Sequence, residues 1–280
     1  PLVRHEYMFT ENTLHRSYKY AAARAAGAVG FLIANHLHGK GLLSGSSGRN
    51  QPEDIPAFAI TTEGAAQLAP TSDGYPRVRL ESASESPGGV AENLVLEIPG
   101  EIDEWIVLSA HIDGHPLGES AMDNATGLAG VISAAAAMAT HMSRFQRGLR
   151  IALFTVEEWA LAGSAPYVDN LSEAERSSIK LNPNLDSIAG SPNIPAPTSE
   201  VPKLEAWLLD RAAVHGHTLG VHRPLMANSD HYNFARHGIP ATRLVAGFDE
   251  HDSDIKYVLT PEDTRDKVGT NDLKRAAGLT

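Results

Sequence analysis

From Asn93 onward, short apolar runs alternate with longer segments of helical periodicity, and this alternation constrains the fold more than any other feature of the chain. The apolar runs are Asn93 to Ile98, Trp105 to Ala110, Leu149 to Thr155 and Ala241 to Val245; the helical patterns are Gly127 to His141, Val201 to His215 and Asp230 to Arg236. A short continuous apolar run bounded by turn signals reads as a strand covered on both faces. Strands of that kind, alternating with helices, predict an α/β fold with a mostly parallel central sheet and helices on both faces. With 280 residues, 42% of them hydrophobic, the chain is long enough to bury such a core and to carry a second, smaller domain.

The smaller domain is expected at the N-terminal end. Ser17 to Asn35 reads as an alanine-rich helix stopped at Gly27 and followed by an apolar strand, Val29 to Ile33. After the glycine- and serine-rich stretch Gly39 to Gly48 come a second strand, Ile55 to Ile60, and a helix, Thr62 to Leu68, capped by Thr61 or Thr62. No residue of this region reads as catalytic. Ser, Pro and Gly concentrate in Glu81 to Gly89, so the expected domains are 1–85 and 86–280. The chain opens on Pro1 with no initiator Met and no charged-then-apolar leader, as expected of a processed protein or a fragment.

A formal net charge of -11, with no concentration of Lys and Arg, argues against nucleic acid as a partner. No apolar run approaches the roughly 20 residues that span a bilayer, so no membrane span is expected. There is no cysteine, hence no disulfide and no thiolate ligand. Any metal is held by His, Asp and Glu.

In open α/β sheets ligands bind beyond the carboxyl ends of the strands, and four places there carry His or carboxylates. They are SAHIDGH after the second run, MDNATG opening a helix, TVEEWALAGS after the third run, and NPNLDSIAG near Ile179 to Leu185. His111 and Asp113, two residues apart on an extended chain, share a face, so Asp113 is placed to fix the imidazole of His111. Asp123 stands where a loop meets a helix start, which alone also suits a cap. Glu157 and Glu158 are adjacent carboxylates that repel each other unless a cation or a helix N-terminus relieves them.

In order and spacing, SAHIDGHP, MDNATGLAGV, FTVEEWALAGSAPYV and NLDSIAG resemble the zinc aminopeptidase family that includes aminopeptidase Y and glutamate carboxypeptidase II, over Asn93 to Val268. YKYAAARAAGAVGFLIAN and DIPAFAITTEGAAQL resemble the protease-associated domain, whose earlier strands are missing before Pro1. The first resemblance implies a metal-dependent exopeptidase, most simply an aminopeptidase acting on peptide substrates. It implies a zinc pair, with manganese or cobalt as alternatives, in which Asp123 bridges, His111 and Asp186 complete one site and Glu158 serves the other. Glu157 is then the general base and Asp113 the partner of His111. The protease-associated resemblance favours a secreted or periplasmic protein over a cytoplasmic one.

One position departs from the family pattern. Where a final His ligand is expected, the chain reads Tyr257-Val258-Leu259-Thr260-Pro261-Glu262-Asp263-Thr264, with Leu259 at the ligand position. The second ion is therefore expected to be the weaker, unless His231 in NSDHYNFARHGIPA or His251 in FDEHDSD replaces the lost ligand or binds substrate. Other histidines, His36 and His38 among them, read as surface residues. No Arg cluster is evident near the motifs, which favours an aminopeptidase over a carboxypeptidase. A receptor-like homologue without activity and a glutaminyl-cyclase-like acyltransferase are the competing readings.

Overall fold

The computed structural model describes residues 15–47, 54–83, 85, 88–194, 196–197, 201–223, 225–248, 250 and 252–280. In the N-terminal part, α1 (Arg16–Ala25) leads to β1 (Phe31–Ala34), and β2 (Ala57–Ile60) leads to α2 (Thr62–Gln67). The two strands pair in parallel, Phe31 opposite Ala57 and Ala34 opposite Ile60. Thr61 is the cap of α2, its hydroxyl accepting the Gly64 N–H at 3.0 Å. From Leu68 to Asn93 the described residues form no further helix or paired strand, and the proposed boundary at 85/86 falls in that stretch.

The larger part is built on five strands: β3 (Leu94–Ile98), β4 (Ile102–His111), β5 (Arg147–Phe154), β6 (Ile179–Leu185) and, after the short pair β7 (Ala196–Pro197) and β8 (Val221–His222), β9 (Ala241–Leu244). Their order is β3-β5-β4-β6-β9, with β3 antiparallel to β5 and all other neighbours parallel. The two-residue period of a strand assigns the faces. Leu108, Ala110, Leu149, Ile151 and Leu185 pack on one side with Val131 and Ala134 of α3 (Gly127–Ala139), Leu208 of α6 (Pro202–Val214) and Ala276 of α8 (Thr270–Leu279). Val107, Ala152, Phe154 and Ile179 pack on the other with Val168 of α4 (Ser164–Asp169) and Phe234 of α7 (His231–Ala235). This is the expected sheet with helices on both faces.

Three helices escaped the sequence reading, α4 among them, and the other two did so for local reasons. α5 (Glu173–Ser178) is too short to show an amphipathic period, although Ser172 and Glu175 close a capping box at its start. α8 is polar enough to read as a tail, yet it buries Ala276 against α3.

The start of α3 is pressed against the end of β6. A Cβ on Gly127 would stand 2.2 Å from the Leu185 carbonyl oxygen, and one on Gly130 would stand 2.7 Å from Ile188 Cδ1. Asn124 ties the same junction, its Nδ2 donating to Leu185 O at 2.9 Å and its Oδ1 accepting from Gly127 N at 2.9 Å and Ser187 N at 3.1 Å. The turn Ala121–Thr126 and the loop after β6 are thereby held together, and each carries one of the proposed metal ligands.

Candidate metal centre

The parallel strands deliver the polar residues to one end of the sheet. His111 is the last residue of β4, Asp186 follows β6 directly, and Glu157 and Glu158 lie just past β5. Asp123 sits in the turn before α3, where its φ and ψ leave helical values. His111 Nε2 lies 2.9 Å from Asp123 Oδ1 and 3.7 Å from Asp186 Oδ1. The nearest donor atoms of His111, Asp123 and Asp186 all lie within 4.8 Å of one another, and all three side chains are buried. Three converging N and O donors are what a catalytic zinc ordinarily takes from a protein, so this set fits one ion.

The surrounding groups orient these donors. His111 Nδ1 is 3.4 Å from Asp113 Oδ1 and 3.1 Å from the Asp113 carbonyl oxygen, leaving Nε2 to face the acids. The Asp113 carboxylate also accepts the backbone N–H groups of Glu157 at 3.1 Å and Glu158 at 3.2 Å. One side chain thus fixes both the imidazole and the glutamate pair. Asp263 does the same for the turn before α3, accepting from Met122 N at 2.7 Å and Asp123 N at 3.1 Å.

Crowded acids show the strain of such a site when no cation relieves them. Burial, then the charge of Asp123, pushes the Glu158 carboxyl up to about 9. Burial likewise carries Glu157 well above the carboxylate range, Asp230, Asp186 and Glu158 adding to the rise. Burial opposes a charged His111, but Glu157 and contacts with Asp113, Asp123 and Asp186 outweigh it and lift the imidazole well above its usual value. Burial also opposes a charged Asp186, and there Arg243 and His111 win and hold it low.

Of the residues proposed from sequence, His111, Asp123 and Asp186 meet as one cluster, with Asp113 and Glu157 beside them. Glu158 lines the same cavity as Asp123, Glu157 and Asp186, though it stands outside the three-donor cluster. Its Oε1 is buried without a hydrogen-bond partner. His231 is fully buried at the start of α7, also outside the cluster, and burial followed by the nearby Arg243 drives its pKa down to about 3. His251 lies outside the described residues. Leu259 lines the cavity in the left-handed region, at φ 64°, which His and Asn adopt more readily than a branched apolar residue.

The structure adds to two readings and corrects a third. The N-terminal part, where no residue reads as catalytic, lends the cavity Arg16 of α1 beside Glu157 and Glu158, and Ile33 and Leu43 form part of its wall. No Arg cluster was expected near the motifs, and single arginines reach the centre from elsewhere, Arg243 Nη2 lying 3.2 Å from Asp186 Oδ1. A charge inside the otherwise apolar run Ala241 to Val245 was the available signal for it. His36 is not a surface residue; it is half-buried in the same cavity, with Nε2 2.8 Å from Lys256 O. Two buried titratable groups also went unmarked. Asp230 bonds to the Ser164 hydroxyl and is raised by burial to about 7, and His115 has no partner for either ring nitrogen.

A mostly parallel sheet that gathers an imidazole and buried carboxylates beyond its strand ends gives an α/β protein with a candidate metal centre where such folds place their sites. The model of peptidase family M28 matches residues 93–279, and that of the PA domain matches residues 2–68. The chain belongs to peptidase family M28 and carries an N-terminal PA domain. It is 27% identical over 266 residues to leucine aminopeptidase 2 of Trichophyton equinum, covering 88% of this chain and 50% of the relative. Aminopeptidase YwaD of Bacillus subtilis is 24% identical over 266 residues, covering 92% and 56%. The chain thus spans about half the length of these relatives. A zinc aminopeptidase structure from Bacillus subtilis superposes with a TM-score of 0.72 at 22% identity, over 96% of this chain and 66% of that one, which supports the fold.

Proposed function

We propose that this chain carries the catalytic centre of a zinc-dependent aminopeptidase that removes N-terminal residues from peptides. The observation that carries the reading is the buried cluster of His111, Asp123 and Asp186 opening on the same cavity as Glu157 and Glu158. An ion bound there would supply Lewis acidity to the scissile carbonyl. Glu157, which burial and the neighbouring acids keep protonated until a cation relieves them, would in its ionised form take a proton from the attacking water and pass it to the leaving amine. Asp113 holds both the imidazole and the backbone of the glutamate pair in place.

Ion count and side-chain preference belong to the same proposal. His111, Asp123 and Asp186 form the tight site, and a second ion is weaker because Glu158 and Asp123 face Leu259 rather than an imidazole. The cavity beside these acids, about 130 Å³, is walled by Ile33, Leu43, Phe248, Ile255, Val258 and Leu259, which suits an apolar N-terminal side chain. The relative from Trichophyton equinum, named as a leucine aminopeptidase, supports that preference. The test is zinc analysis of the purified chain together with a panel of aminoacyl substrates and their N-blocked counterparts. Cleavage of leucyl but not N-acetyl-leucyl substrates, abolished by chelation, is expected. Bound zinc with no turnover of any peptide would favour the receptor-like reading, and cyclisation of N-terminal glutamine the acyltransferase.

A further inference from the structure

The second metal position proposed for this centre is short of a ligand. Glu158 and Asp123 line the smaller cavity with Leu259, and the buried Glu158 Oε1 has no hydrogen-bond partner. An orphaned carboxyl beside other acids is relieved either by taking up a proton or by a nearby positive charge. Arg16 lines this cavity and also a wider one of about 390 Å³, and Glu157 and Glu158 border both.

The Arg16 side chain is seated there by its surroundings. Its Nε donates to the Ser46 carbonyl oxygen at 2.6 Å. Gly45, at φ 110°, leaves the space the guanidinium fills; a Cβ at that residue would stand 2.5 Å from both Cζ and Nη2. Among the described residues no direct ion pair joins Arg16 to either glutamate, so it faces them across the cavity. Burial lowers the Arg16 pKa, and the charges of Glu158, Glu157 and Asp123 oppose the fall in that order; they include both acids proposed for the second ion.

We propose that Arg16, delivered by the PA domain, is the resident cation of the second metal position, so that the centre works with one ion. This deepens the reading of the chain as a metallopeptidase and rests on it. A guanidinium keeps its charge in a desolvated cleft, where a lysine ammonium or an imidazole readily loses its own. A fixed positive charge across the cavity from Glu158 and Asp123 offsets their charge and repels an incoming dication, which makes the loss of the imidazole at Leu259 tolerable. Arg16 is accordingly a positioning residue, acting on the carboxylates rather than on the scissile bond.

The experiment is zinc titration by calorimetry and native mass spectrometry on the full chain, with no substrate present. The unmodified protein is expected to hold one tight ion. Leu259→His alone is expected to leave the second ion weak, and Arg16→Gln with Leu259→His to bind two. Arg16→Gln alone is expected to tighten the second ion about tenfold or more, the scale of removing one nearby like charge, and Arg16→Lys to fall between Arg16→Gln and the unmodified protein, because a desolvated ammonium gives up its charge more easily. Should the double variant fail to fold, the single Arg16→Gln titration decides. Two equally tight ions in the unmodified protein, or a second ion as weak in Arg16→Gln as in the unmodified protein, overturns the proposal. Stoichiometry is read without turnover, so failure of the peptidase reading would show separately, as a zinc-loaded protein that cleaves no peptide.

Discussion

At the scale of the residue, the adjacent glutamates are chemically alike but placed for different tasks. Glu157 is expected to move protons and Glu158 to face the metal position. Glu157→Gln is expected to retain zinc and to lower turnover by about a hundredfold or more, the scale of a lost general base. Elemental analysis beside kcat checks it; equal zinc loss in Glu157→Gln and Glu158→Gln would exchange the roles. Asp113→Asn should weaken zinc binding about 10- to 100-fold, the usual cost of removing the partner of a ligating imidazole. Because Asp113 also receives the N–H groups of Glu157 and Glu158, its kcat should fall even at saturating zinc, and a metal-dependent rate curve separates the two effects.

At the scale of the element, the centre depends on α3 starting close to β6. Gly127→Ala forces a Cβ to within 2.2 Å of the Leu185 carbonyl oxygen, a backbone atom that cannot turn aside. Overpacking of that kind costs about 1–3 kcal/mol, and the shift parts Asp123 from Asp186. Denaturant unfolding and zinc titration are expected to move together in this variant. Ser172→Ala is the control. It removes the capping box of α5 at a cost of about 1 kcal/mol and should leave zinc affinity unchanged, since α5 contributes no residue to the centre.

At the scale of the whole molecule, the buried acids link metal, pH and stability. In the metal-stripped protein Glu158 is raised to about 9 and Asp230 to about 7, each chiefly by burial. A carboxyl raised in the folded state binds more protons folded than unfolded. Its contribution is full below the unfolded pKa and is lost as pH rises through the folded one. His111, also raised, has the same sign. The chelated protein is therefore expected to lose stability steadily from about pH 5 to about pH 9. Zinc should reverse this most strongly at the alkaline end, where its ligands are already deprotonated. Thermal melts with chelator and with zinc across that range test it, and a chelated protein that grows more stable with pH would contradict the burial of these acids.

The sheet was legible in the sequence because most of its strands contain an apolar run, as covered strands do, although β3 proves largely exposed and β6 and β9 carry polar residues within them. His111, Asp113, Asp123, Glu157, Glu158 and Asp186 were legible because each stands just past such a run or at a helix start, where α/β folds collect their polar groups. The helices α5 and α8 were not, the first lacking the length and the second the apolar stripe that make a helical period visible. Arg16 and Arg243 had no motif to betray them. One comes from a distant segment, brought to the cleft by packing of the PA domain, and the other is a single charge in an apolar strand whose partner, Asp186, lies on the neighbouring strand's exit. Local pattern records which residues are buried and where strands end. Which charges then face one another across a cavity is set by contacts between segments far apart in the chain, and only the tertiary structure decides that.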